Sequence, residues 1–172
     1  MPVDTTDNLP GAVEAPIRQH VDSIDIAAPP SRVWGLVTAL DRYGEWSSEN
    51  AGGTWRKRED GTPCTGEVGD TFSGVNRLGE VEWKVPVEIV QREEERDFAF
   101  VMATLKFPFV LWRYQLEPDD EGGTTLTESW TLRALTPNMV EQGEAEIDQR
   151  EQNARTSIRA TLEGIKAAAE AS

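Results

Sequence analysis

From about Trp55 to Leu132 the chain reads as strand after strand, and it then closes on one long amphipathic helix. Ahead of that run stand one isolated strand and a short helical stretch carrying Trp34 and Trp46. Consecutive antiparallel strands cannot bury a shared apolar face without a second layer of structure. The terminal helix is the cover that this order supplies. A strongly bent sheet closing on one helix leaves a space between the two, and function is to be sought in that space.

Period-two alternation places the side chains of the strand run. Phe72, Gly74 and Asn76 share one face of the first well-defined strand, and Val81, Trp83, Val85, Val87 and Ile89 share one face of the next. Phe98, Phe100 and Met102 line the third, and Trp112, Tyr114 and Leu116 the fourth. Leu126, Glu128, Trp130 and Leu132 share a face of the last, against Thr125, Thr127, Ser129 and Thr131. A shorter strand is expected around Thr54–Arg58, after Gly52-Gly53. Pro86 would remove a ladder hydrogen bond, which implies a bulge or an unpaired position there.

The lone strand is expected near His20–Ile26. Pro29-Pro30 then opens a helix through Val33, Trp34, Val37 and Leu40, followed by a short helix or turn over Asp41–Trp46. Thr136-Pro137 is a second helix-start signal. Gly143 divides a short opening turn from a main helix of roughly 25 residues, about 40 Å long. Its apolar stripe of Ile147, Ala154, Ile158, Leu162, Ile165 and Ala169 thins towards the N-terminal half, as expected where a helix leaves the core and roofs a cavity mouth. Residues 1–18, polar and broken by Pro2, Pro10, Gly11 and Pro16, read as a loose tail, and 19–172 as a single α+β domain.

Composition removes several functions. A net charge of −14 argues against nucleic acid or anionic membrane as partner, since both need basic patches. No apolar run reaches the ~20 residues of a membrane span. Cys64 is the only cysteine, so no internal disulfide is expected; a cytoplasmic protein fits these features. It reads as an incidental exposed thiol in the Gly-rich loop Asp60–Asp70, a mobile connection or a gate for the cavity. With His20 as the only histidine, a Ser-His-Asp triad or a zinc site lacks its residues. No P-loop or G-x-G-x-x-G is present, and neither metal nor nucleotide cofactor is expected.

The segment Ile24-Asp25-Ile26-Ala27-Ala28-Pro29-Pro30-Ser31-Arg32-Val33-Trp34 resembles the opening of the START-like, polyketide cyclase/dehydrase and lipid transport superfamily, also called SRPBCC. The likeness continues through Trp46-Ser47, Gly74-x-Asn76, Trp83, Trp112-x-Tyr114-x-Leu116-x-Pro118, Gly123-x-x-Leu126-Thr127-Glu128-Ser129 and Thr161-Leu162-x-x-Ile165-Lys166. The resemblance implies a helix-grip fold: a curved seven-stranded antiparallel sheet wrapped around the long C-terminal helix, with two short helices after the first strand. It also implies a mostly apolar pocket for a hydrophobic or amphipathic small molecule. It does not imply an activity.

The expected ligand-binding residues are Asn76, Trp83, Phe98, Phe100, Met102, Trp112, Tyr114, Glu128 and Trp130. Glu128, set between Leu126 and Trp130, should look inward, where an unpaired carboxylate is costly and its pKa rises. Beside the Tyr114 hydroxyl it is a candidate acid/base for proton exchange with an enolisable ketone, with Asn76 holding a carbonyl. The alternative for Glu128 is structural, accepting from a Trp indole or pairing with Arg155. Three functions stay open: binding or transport of a hydrophobic or aromatic small molecule, a cyclase/dehydratase-type enzyme, and a protein-binding accessory module. Oligomerisation is compatible with each.

Overall fold

Seven antiparallel strands form one sheet in the order β1-β7-β6-β5-β4-β3-β2, in a computed structural model that describes residues 6–171. The strands are β1 (Arg18–Ile26), β2 (Asn50–Trp55), β3 (Thr71–Leu78), β4 (Val81–Glu93), β5 (Asp97–Met102), β6 (Val110–Pro118) and β7 (Thr124–Leu132). Helix α1 (Pro30–Val37) and a 3-10 helix (Leu40–Glu45) fill the connection from β1 to β2. Helices α2 (Pro137–Gln142) and α3 (Glu144–Glu170) close the chain. The first strand thus pairs with the last, and the curved sheet grips α3 as a helix-grip fold does.

Helix α3 buries Ile147, Ala154, Ile158, Leu162, Ile165 and Ala169, the stripe expected from its period. Thr136 caps α2 through its hydroxyl, and Gly143, at φ +78°, makes the break between the two helices. Gly164 lies flush against Trp46, with no room for a Cβ. That close approach anchors the end of the 3-10 segment on α3.

Three local expectations need correction, and the one at Pro86 holds in its second form, as a position unpaired towards β5. β2 starts at Asn50 and includes Gly52 and Gly53; Gly53, at φ +141°, sits so close to Ser73 and Phe72 that only glycine fits. Pro86 stays in register opposite Ser73. Its carbonyl accepts from Ala103 N–H, so the missing N–H faces the same side, beyond the end of β5, and costs β3 no bond. The bulge lies further on, between Ile89 and Gln91. Cys64 is buried, and its loop is tied down: Asp70 accepts from the backbone N–H groups of Thr65, Gly66 and Glu67 and from Arg58 in a two-pronged pair at 2.8 Å.

The tail also differs from its reading, in the part that is described (residues 1–5 lie outside the described residues). Asp7 forms a two-pronged ion pair with Arg133 at 2.7 and 2.8 Å, both side chains being less than 5% exposed. Arg133 donates further to the Pro10 carbonyl at 2.7 Å. Leu9 caps a second apolar cluster of Val90, Ala99, Val101 and Leu111, apart from the main core. A patch of strand side chains facing away from α3, with a buried guanidinium beside it, needs both an apolar cover and a carboxylate, and this segment supplies them.

Candidate functional site

Strand register builds the site, because residues paired across an antiparallel ladder project to the same face. Tyr114 lies opposite Glu128, and Trp112 opposite Trp130. Phe100 lies opposite Trp112, and Trp83 opposite Asn76. These side chains, with Met102, line a cavity of about 380 Å³ between the sheet and α3. Phe72, Val85, Val87 and Val110 complete the sheet wall; Arg150, Asn153, Ala154, Ser157 and Thr161 of α3 form the opposite one. The thinning of the α3 apolar stripe therefore coincides with the roof of the cavity, as its pattern anticipates.

Eight of the nine expected ligand-binding residues meet here. Phe98 does not: it is fully buried with its ring edge-on to Trp34, at a centroid distance of 6.0 Å. It shares a strand face with Phe100 and Met102, but α1 covers that end of the face and fills it. The loop Asp60–Asp70, considered above as a gate, contributes no lining residue.

Glu128 is a buried carboxyl in the cavity lining. It is 2% exposed, and its Oε1 accepts a 2.8 Å hydrogen bond from the Tyr114 hydroxyl. Oε2 is buried with no partner among the described residues. Burial pushes the carboxyl up to about 8; the Tyr114 hydrogen bond opposes this, and the charge of Asp22, directly opposite on β1, reinforces it. Burial likewise raises Tyr114 and Tyr43 well above the ordinary phenol range. The structural pairing with Arg155 is not formed, for that guanidinium reaches back to Glu151 at 3.3 Å. Asp22 has its own partner, Arg159 of α3, at 3.3 Å.

Tyr43 packs edge-on against Tyr114, at 6.1 Å between ring centroids, and its hydroxyl donates to the Val37 carbonyl. It lines the cavity with Leu40 from the 3-10 helix. A polar group of Ser47, Glu49, Asn50 and Asn76 also lies in the lining. Burial raises the half-buried Glu49, opposed by Arg150. Arg150 itself is held by Glu146 at 2.8 Å.

Sequence reasoning did not anticipate Tyr43, Glu49, Asn50, Met139, Arg150 or Asn153 as site residues. Tyr43, Glu49 and Asn50 come from connections without a period to read. Arg150 and Asn153 do carry a signal: Arg150 stands three residues after Ile147 and four before Ala154, and Asn153 directly precedes Ala154, at the edge of the stripe where a roofing helix turns polar.

The chain matches the family model described as polyketide cyclase / dehydrase and lipid transport over residues 19–170. Among solved structures it is similar to a polyketide-cyclase-like protein from Corynebacterium glutamicum, with 33% identity, a TM-score of 0.59, and 86% and 88% of the two chains covered. It is also similar to a START superfamily protein from Mycobacterium smegmatis, at 12% identity, TM-score 0.62, and 88% and 97% coverage. A third likeness is to BexL, the di-domain ARO/CYC protein of the BE-7585A biosynthetic pathway, at 19% identity and TM-score 0.65, covering 90% of this chain and 50% of that one. The latter two likenesses concern the fold alone. No curated protein matches the sequence. No helix among the described residues is long and apolar enough to cross a membrane.

Proposed function

We propose, from the premise that this chain belongs to the polyketide cyclase/dehydrase and lipid transport family, that it binds one hydrophobic or aromatic small molecule between its sheet and α3. The observation that carries the reading is the cavity itself. At about 380 Å³ it falls within the range of small-molecule sites; its sheet wall is mainly indole, phenyl and aliphatic, and polar side chains gather on α3 and around Ser47–Asn50. Burying some 200 Å² of apolar ligand surface there is worth about 5 kcal/mol before the costs of association, enough for a specific complex. Glu128 and Tyr114 would then fix the ligand's orientation at the inner wall.

Native mass spectrometry tests this. Freshly purified protein, incubated with a panel of bicyclic and tricyclic aromatic compounds, is expected to form one-to-one complexes. Failure to retain any of them would remove the reading.

A second reading rests on one specific feature, the 2.8 Å contact of Tyr114 with a Glu128 whose carboxyl titrates near 8. Such a group is poised to exchange protons with an enolisable ketone near neutral pH, as in an aldol cyclisation or dehydration. Under this reading Glu128→Gln abolishes turnover of a bound ketone while the complex still forms; under the binding reading no turnover exists to lose.

A further inference from the structure

Charge is distributed unevenly around the cavity. Among its lining residues the ionisable side chains of ordinary charge are Glu49, Glu128 and Arg150, and the single cation of the three is already engaged by Glu146 at 2.8 Å. Glu128 is buried to 98% of its surface, lines the cavity, and keeps Oε2 without a partner among the described residues. Around it on the same face stand the rings of Tyr114, Trp112 and Trp130. We infer that the inner wall of this cavity receives an ammonium group at Glu128 Oε2, so that the ligand class is an aromatic or lipophilic amine. This rests on the binding reading above and specifies its ligand.

The neighbours of Glu128 decide between an amine and a neutral partner. From β1 it faces Asp22, which Arg159 of α3 engages at 3.3 Å; His20 stands one pair further along, opposite Trp130. From β6 it faces Tyr114, and Tyr43 packs behind that ring. Arg155 of α3 is turned to Glu151. No unengaged cation among these groups competes for Oε2. A ketone or alcohol would use one hydrogen bond from the protonated acid. An ammonium uses the carboxylate, the negative faces of the aromatic rings, and the field of a chain with net charge −14.

In the empty cavity near neutral pH Glu128 is mostly the neutral acid. The amine enters as its ammonium ion, the acid gives up its proton to solvent, and a carboxylate–ammonium pair remains. One proton is released for each ligand bound. A neutral isostere releases none.

Calorimetric titration near neutral pH, in two buffers of different ionisation enthalpy, reads this directly. The ligands are 2-(1-naphthyl)ethylamine and 2-(1-naphthyl)ethanol. The amine is expected to bind at least about tenfold more tightly and to release close to one proton, and Glu128→Gln to erase both differences. Alcohol binding as tightly as amine, or amine binding without proton release, would overturn the amine assignment and leave the binding reading standing. If neither compound binds, both fall. The comparison of the two ligands on the unmodified chain needs no variant to fold.

Discussion

Tyr114 and Glu128 face each other across the β6–β7 ladder, joined by a 2.8 Å hydrogen bond that satisfies one carboxyl oxygen and leaves the other without a partner among the described residues. A fully structural pair in a sealed core would leave neither oxygen without a partner, because an unsatisfied buried polar atom costs about 1–3 kcal/mol. Here the second oxygen belongs to a residue that lines a cavity. Cost and opening coincide in one side chain.

Glu128 should make the protein less stable as pH rises. Its folded value of about 8 lies above the ordinary 4.5, so between those values the folded state holds more protons than the unfolded one. Stability from this group is full below about pH 4.5 and falls through pH 8, by about 3 kcal/mol at pH 7. Glu128→Gln should remove that slope and be the more stable form at pH 8. Urea denaturation of both forms at pH 5, 7 and 8.5 checks it; parallel curves would contradict it.

The Asp7–Arg133 pair predicts a large cost for a change outside the cavity. Asp7→Ala leaves a buried guanidinium unpaired and should cost about 3 kcal/mol. Leu9→Ala should cost about 2 kcal/mol by uncovering the second apolar cluster. Shifts in the denaturation midpoint measure both, and ligand titration should show the cavity unaffected.

Gly164→Ala sets helix propensity against packing. Alanine gains about 1 kcal/mol in a helix interior. Its Cβ has no space beside Trp46, and forcing one into a packed core costs about 1–3 kcal/mol. Net destabilisation is expected, with a lower melting temperature and a changed Trp fluorescence maximum. A stabilised variant would show that Trp46 moves freely.

Much of this molecule was legible from the alternation of its strands and the stripe of its last helix. Glu128, Tyr114, Trp112 and Trp130 fall on one face because a pleated strand has no other way to arrange them. Phe98 shows the limit of that rule: period assigns a face, but only the tertiary cover of α1 decides whether the face is core or cavity. Asp7 and Leu9 were illegible for a different reason. Their order comes from a guanidinium and an apolar patch more than eighty residues away, and nothing in the local composition announces such a partner. Arg150 and Asn153 lie between these cases, on a helix edge whose polarity has meaning only once the cavity beneath it is known.

The cavity between the sheet and α3 is proposed as a ligand site. Ala154, on α3, is buried and lines it, so Ala154→Phe projects a ring into that space. The deciding measurement is tryptophan-fluorescence titration of a naphthyl ligand into both forms, with melting temperatures recorded alongside. Saturable one-to-one binding that weakens at least about tenfold in the variant, at an unchanged or higher melting temperature, is the predicted result. A variant that binds as tightly as the parent, or that melts many degrees lower because its ring finds no space, would contradict the account.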